Sequence, residues 1–387
     1  MNEFFITSDI FDPHLIKIIF EYTSNETCDL ISLFDSLEFN SVINKDFCFP
    51  LGITSDYSLI EHASEFKVRK LFDFIESYKF LHLKSLNIGF IDNADNESSL
   101  LSMIVSSENE IENIELKNLE FLSVIYCSYF TGISLKNCKS IKSLVLDANQ
   151  RFDSKYLSFV KDLQCLKISC CKRFDSKHLQ LCSNLTELNI EFQWNSFESI
   201  YCCSNLKSLC LNKCKNLSEI NLTKLQHLTK LTIKFSNISD IINIKNLETL
   251  CVECCRYFSG KSLLTENKLE NLSIETCQIF NEDNMINLNN LSLLKLINVK
   301  KFTGKYLMNH KCLKTLYISN CQNLKLRCLN ECVSLINLIF GCVYLFKMNK
   351  LEFCLNNVTS LTLYYCNFDL SFIQCFPNLK QINIKSF

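Results

Sequence analysis

Leucine-like residues return along this chain in one figure: an apolar residue, two others, a second apolar residue, one polar residue, and a third apolar residue. The triplets run Leu119/Leu122/Val124, Ile141/Leu144/Leu146, Leu163/Leu166/Ile168, Leu185/Leu188/Ile190, Leu206/Leu209/Leu211 and Leu228/Leu231/Ile233. They continue with Leu247/Leu250/Val252, Leu269/Leu272/Ile274, Leu291/Leu294/Leu296, Leu313/Leu316/Ile318, Leu335/Leu338/Phe340, Val358/Leu361/Leu363 and Leu379/Ile382/Ile384, thirteen units, most of them 22 residues apart. The second and third apolar residues alternate with polar ones, as in a strand buried on one side. Each unit therefore predicts a short strand and a return segment. A unit this small cannot cover its own apolar face, so it stacks on its neighbours and builds a solenoid with a parallel sheet along one side. Leu83/Leu86/Ile88 predicts one more strand. Ile111/Ile114/Leu116 fits the same figure, so the stretch before Leu119 is expected to be one long irregular unit, with residues 98–107 on a helical outer side.

With the first leucine of a unit as position 1, position 9 is occupied by Cys127, Asn149, Cys171, Gln193, Cys214, Ser236, Cys255, Cys277, Val299, Cys321, Val343, Cys366 and Phe387. Seven of these thirteen are cysteine, and a second column, Cys138, Cys182, Cys203 and Cys332, stands three residues before position 1. Residues 119–387 resemble the leucine-rich repeat family. The paired cysteine columns resemble the cysteine-containing subtype of F-box proteins, although units there run a few residues longer and plant-receptor-like units look similar. The resemblance implies an α/β horseshoe with a parallel concave sheet over residues 81–387, about 14 units. A position-9 thiol is expected to face the interior, where its small, largely apolar body packs and touches carbonyls. Zinc is the rival for the adjacent pairs Cys170-Cys171, Cys202-Cys203 and Cys254-Cys255, but no second ligand pair stands at zinc spacing and the six histidines are scattered.

Residues 1–80 lack the repeat and are expected to form a helical N-terminal cap. Residues 13–22 and 29–37 read as helices, the first with Asp12 as N-cap and Pro13 at its opening position, and residues 68–78 as a third. Pro13, Leu15, Ile16, Ile19 and Phe20, followed by Leu30 and Leu33, resemble the start of an F-box, the module that docks on the adaptor of cullin ubiquitin ligases. The resemblance departs at Pro13, one residue too close to Ile19, at a longer turn before Asp29, and at residues 37–40, where Leu-Glu-Phe-Asn replaces the usual Cys-x-x-Trp. A plain helical cap over the solenoid end stands beside it as the alternative.

Composition narrows the remaining classes. Hydrophobic residues make up 48% of the 387 residues, and only 6 Gly and 3 Pro are present, so long flexible linkers are not expected. A formal charge of -1 provides no overall field toward nucleic acid or acidic membrane. The N-terminus has no basic leader before its apolar run and no stretch is long enough to span a membrane, so an intracellular, cytoplasmic or nuclear protein with reduced thiols is expected. Gly260-Lys261-Ser262 imitates the end of a phosphate-binding loop, yet the Gly five residues earlier is Cys255. No catalytic motif, cofactor site or metal site emerges, which leaves a non-enzymatic binding protein.

Two surfaces are candidates. Positions 3, 5, 7 and 8 should line the concave face, and thirteen strands at about 4.8 Å span roughly 60 Å, enough for a protein partner. Tyr126, Phe192, Trp194, Phe235, Tyr317, Tyr364 and Tyr365 set aromatics there beside Glu253 and Glu275, the composition of interface hot spots. Lys155, Lys177, Lys261 and Lys305 share one position in the return loop and predict a broken basic rim, either a solvated edge or a seat for an acidic partner. The F-box resemblance implies a substrate-recognising subunit of a ubiquitin ligase; the alternative is an independent scaffold or effector. The strand at Leu379, Ile382 and Ile384 is expected to present an uncovered edge through which copies of the chain could associate.

Overall fold

The computed structural model describes residues 85–89 and 119–385, apart from 126–129, 192–197, 215–218, 266, 343, 346–353 and 369. The strands, in chain order, are β1 (Ser85–Gly89), β2 (Phe121–Ile125), β3 (Ser143–Asp147), β4 (Cys165–Ser169), β5 (Glu187–Glu191), β6 (Ser208–Asn212), β7 (Glu219–Asn221), β8 (Lys230–Lys234) and β9 (Asp240–Ile242). They continue with β10 (Thr249–Glu253), β11 (Asn271–Glu275), β12 (Leu293–Ile297), β13 (Thr315–Ser319), β14 (Asn337–Gly341), β15 (Tyr344–Leu345), β16 (Ser360–Tyr364), β17 (Asn367–Phe368) and β18 (Gln381–Lys385). All but four form one 14-stranded sheet in chain order, and every pairing in it is parallel. The chain is a leucine-rich repeat solenoid. β1 pairs directly with β2, Leu86 opposite Leu122, so the sequence between them adds no described strand to the sheet.

The sheet has this register because position 4 and 6 side chains turn inward. Leu144, Leu146, Leu166, Ile168, Leu250, Val252, Leu316 and Ile318 are fully buried, and the residues between them are not. Position-1 leucines close the bottom of the same core. Behind the strands runs a phenylalanine spine, with Phe130 stacked on Phe152 at 6.0 Å and Phe258 on Phe280 at 6.3 Å. The return segments carry 3-10 helices of three to six residues, such as Ser154–Phe159 and Ser176–Leu181, each tucking a leucine inward. Asp153 and Asp175 cap these two by accepting from the Lys155 and Lys177 amides. The parallel pairs β7/β9 and β15/β17 add short strands to the return segments, β7 and β17 standing just before 3-10 helices at Leu222–Lys224 and Leu370–Cys375. Among the described residues no helix is long and apolar enough to cross a membrane. The expected helices at 13–22, 29–37, 68–78 and 98–107 lie outside the described residues.

Most described strands of the main sheet end in the same kink. Position 8 has positive φ in ten units, at Ala148, Cys170, Lys213, Phe235, Cys254, Thr276, Asn298, Asn320, Cys342 and Tyr365. A left-handed residue that is not glycine costs about 1–2 kcal/mol. The compensation is visible in the hydrogen bonds. The kink aims the position-8 amide at the position-7 carbonyl of the next unit, as in Phe235 to Glu253 at 2.9 Å, Cys254 to Glu275 at 2.8 Å and Tyr365 to Lys385 at 2.9 Å. The ladder thus continues one residue past the strand.

Candidate functional site

The cysteine columns come first, because thiols could do chemistry. At position 9, Cys171 Sγ lies 3.3 Å from the Ser169 carbonyl of its own unit and 3.9 Å from the Leu146 carbonyl of the unit before. Cys214, Cys255, Cys277, Cys321 and Cys366 repeat this bridge, with inter-unit distances of 3.4 to 3.9 Å. Asn149 fills the same slot in its unit and donates to the Val124 carbonyl at 2.7 Å. The column therefore supplies a small donor to a carbonyl the strand ladder leaves over, and cysteine is one of several residues able to do so. Burial pushes the Cys171, Cys214 and Cys277 thiols up to about 12, and likewise Cys138, Cys182, Cys203 and Cys332 of the second column. Such thiols stay protonated and are poor nucleophiles and metal ligands. The sharpest Ser-His approach, Ser154 Oγ to His178 Nδ1 at 2.9 Å, is also structural: Ser154 is buried and its hydroxyl meets the Asp175 carbonyl and amide.

The lysine rim is less basic than its sequence suggests. Lys155 pairs with Asp153 at 2.8 Å, Lys177 with Asp175 at 2.7 Å and Lys305 with Asp283 at 2.6 Å. The hydrogen bonds from Lys177 and Lys305 hold Asp175 and Asp283 below the usual carboxylate range. Lys261 has no carboxylate partner among the described residues, Ser259 standing where Lys155 and Lys177 have aspartate. Three of the four lysines at this position are therefore neutralised by aspartate.

The open face of the sheet, the one expected to be concave, carries a graded surface. In its middle, Lys213 meets Glu191 at 3.3 Å and Lys234 meets Glu253 at 2.6 Å, and Phe235, 48% exposed, rises beside them from its left-handed kink. Toward the C-terminal side the chemistry changes. The rings of Tyr317 on β13 and Tyr364 on β16 lie 6.5 Å apart, reaching over the intervening β14. Gly341 on β14 makes this possible: a Cβ there would stand 2.6 Å from Ser319 Oγ and 3.6 Å from the Tyr317 hydroxyl oxygen. Lys295 Nζ sits 5.5 Å from the Tyr317 ring centre and Lys385 Nζ 5.4 Å from that of Tyr364, cation–π contacts that hold the pair from both sides. Burial, then the neighbouring Tyr364 and Glu275, pushes the Tyr317 phenol up, so it remains a neutral donor. Tyr365 adds a ring 48% exposed at the edge.

The structure thus brings Tyr317 and Tyr364 together with Tyr365 alongside, and places Phe235, Glu253 and Glu275 farther along the same face. Tyr126, Phe192 and Trp194 lie outside the described residues, as do Pro13, Leu15, Ile16, Ile19, Phe20, Leu30 and Leu33. Sequence reading missed Lys295, Lys385 and Gly341. Position counting could have found them: they occupy positions 5 and 7 of alternate units, the positions already assigned to this face.

No protein-family model matches the chain, and no curated protein matches its sequence. Among solved structures, an internalin of Listeria monocytogenes is similar at 16% identity and TM-score 0.48, over 82% of this chain and 89% of that one. A leucine-rich repeat protein of Leptospira interrogans is similar at 19% identity and TM-score 0.46, over 78% and 76%. The functional domain of another Listeria internalin, one that includes a cysteine ladder, is similar at 14% and 0.41, over 59% and 60%. Likeness this distant leaves function to be argued from the residues themselves.

Proposed function

We propose that this chain is a non-enzymatic binding protein whose open sheet face holds a protein partner. The observation that carries the reading is the Tyr317–Tyr364 pair, seated over Gly341 and flanked by Lys295 and Lys385. Half-buried rings fixed in advance lose little entropy on docking, and such aromatics supply most of the energy at interfaces. The position-9 thiols are buried and protonated, so they serve packing rather than nucleophilic chemistry. A photo-crosslinking residue at Tyr365 should capture a discrete protein in cells, and Tyr317→Ala with Tyr364→Ala should abolish capture while leaving the melting temperature nearly unchanged. Crosslinks arising only from a probe at Lys177 on the rim would overturn the reading.

The finer assignment, a substrate-recognising subunit of a cullin ubiquitin ligase, is supported by the F-box-like residues Pro13, Leu15, Ile16, Ile19, Phe20, Leu30 and Leu33 and by the cysteine-containing repeats. It places the protein in the cytoplasm or nucleus. Removing residues 1–45 should then abolish co-purification with the ligase adaptor and leave the repeat region soluble. An intact chain that never binds adaptor leaves the independent scaffold. Self-association belongs here too: among the described residues β18 pairs with β16 alone, and Ile382 and Ile384 on it are 38% and 53% exposed. Light scattering that shows a monomer at high concentration would remove it.

A further inference from the structure

We propose that the C-terminal third of the open face is a docking site for an acidic protein segment with an apolar centre. This deepens the reading above and rests on it. Charge supplies the argument. At the outward positions of β3 to β11 the carboxylates Asp147, Glu187, Glu191, Glu253 and Glu275 outnumber the lysines Lys167, Lys230 and Lys234. From β12 to β18 the outward residues include Lys295 and Lys385 and no carboxylate. In the middle, Lys213 and Lys234 are neutralised by close partners; Lys295 pairs with Glu275 more loosely, at 3.8 Å, and Lys385 has no carboxylate partner among the described residues. Both ammonium groups lie over tyrosine rings, which leaves N–H groups of Lys385, and of Lys295 beside its long contact with Glu275, to meet an incoming anion.

Geometry sets the shape of the partner. β12 and β18 are four strand steps apart, about 19 Å, the reach of roughly six extended residues. The tyrosine pair occupies the middle of that span, over β13 to β16. An extended segment lying across the strands would set carboxylates on Lys295 and Lys385 and an aromatic or aliphatic side chain on the rings. Single-stranded nucleic acid also likes aromatics beside cations. Two lysines over such a span on a chain of net charge -1 make a weak phosphate track, so a protein segment fits better.

The test uses the full chain and a fluorescent random copolymer of glutamate and tyrosine, read by anisotropy, with an oligothymidylate as the competing class. Lys295→Gln with Lys385→Gln should weaken copolymer binding by about tenfold and flatten its salt dependence. Tyr317→Ala with Tyr364→Ala should weaken it at least as much, Tyr317→Phe with Tyr364→Phe should retain most of it, and Lys155→Gln with Lys177→Gln on the rim should change it little. The phenylalanine pair guards against a fold defect. Loss on removing the tyrosines but not the lysines would keep the open face as binding surface and overturn the acidic partner. Indifference to both pairs would overturn both readings, and tighter binding of the oligothymidylate would overturn the protein segment in favour of nucleic acid.

Discussion

Raising the pH should unfold this protein through its own core. Burial pushes seven thiols, Cys138, Cys171, Cys182, Cys203, Cys214, Cys277 and Cys332, up to about 12, and Cys255 and Cys321 up to about 11, from an ordinary 9.0. The sign follows from proton counting. Between those values the folded chain binds more protons than the unfolded one, so the stabilisation is complete below about pH 9 and is lost as pH rises toward the folded values. Each thiol removes about 1.4 kcal/mol per pH unit in that window. Titrating together, they remove on the order of ten kcal/mol within one unit, comparable with the whole stability of an ordinary domain, about 5–15 kcal/mol. Urea unfolding followed by circular dichroism in the presence of a phosphine reductant should therefore show stability flat to about pH 9 and collapsing near pH 10. Cys277→Ala isolates one thiol. It forfeits the contacts of Sγ with the Val252 and Glu275 carbonyls at 3.6 and 3.4 Å and should cost about 1–2 kcal/mol at neutral pH. It should also make the alkaline decline shallower by one proton. Stability that stays level through pH 10, or a Cys277→Ala slope equal to that of the parent, would refute the reasoning.

Three further outcomes are expected. His310 is 2% exposed, its Nδ1 lies 3.0 Å from the Leu288 carbonyl, its Nε2 has no partner among the described residues, and burial lowers its pKa, so stability should fall as pH drops through the unfolded histidine value and His310→Leu should flatten that decline in thermal melts. Gly260→Ala and Gly304→Ala share φ of +82° and +84°, but the new Cβ meets the Phe280 ring at 2.7 Å in the first and the mobile Leu324 Cδ1 at 3.0 Å in the second, so denaturant titration should show the first losing about 1–3 kcal/mol more. Under native conditions a mass-read alkylation should label exposed Cys202, Cys312, Cys342 and Cys354 well before buried Cys171 or Cys277, and equal rates would contradict the packing.

Sequence periodicity sufficed for the strands because alternation and a 22-residue return leave a parallel solenoid as the one way to cover the leucines. It also anticipated that Cys171 and its equivalents touch carbonyls, since a thiol beside bent backbone has few other partners. What it could not give was pairing between units. Nothing local says that Tyr317 leans across β14, because that depends on a glycine 24 residues later in the next strand. Lys155 and Lys177 looked like a basic stripe, yet each bonds the aspartate two residues before it, a turn geometry that periodic counting passes over. The 3-10 form of the return segments was hidden for a related reason: too few residues separate strand and position 1 for a helical period to register.

The thiol bridges have a mechanical side. Each links a unit only to the one before it, and the asparagine amides at the sheet foot, Asn184 to Lys161, Asn205 to Ser183 and Asn246 to Gln226, do the same at 3.2, 3.1 and 2.9 Å. Among the described residues no contact of this kind ties distant units together. Under tension applied at the two ends, the load passes through one such seam at a time, and the terminal seam has a neighbour on one side only. The chain should then lengthen by shedding single units from an end, each adding some 22 residues, about 70 Å of extended backbone, while the remaining spring keeps its pitch.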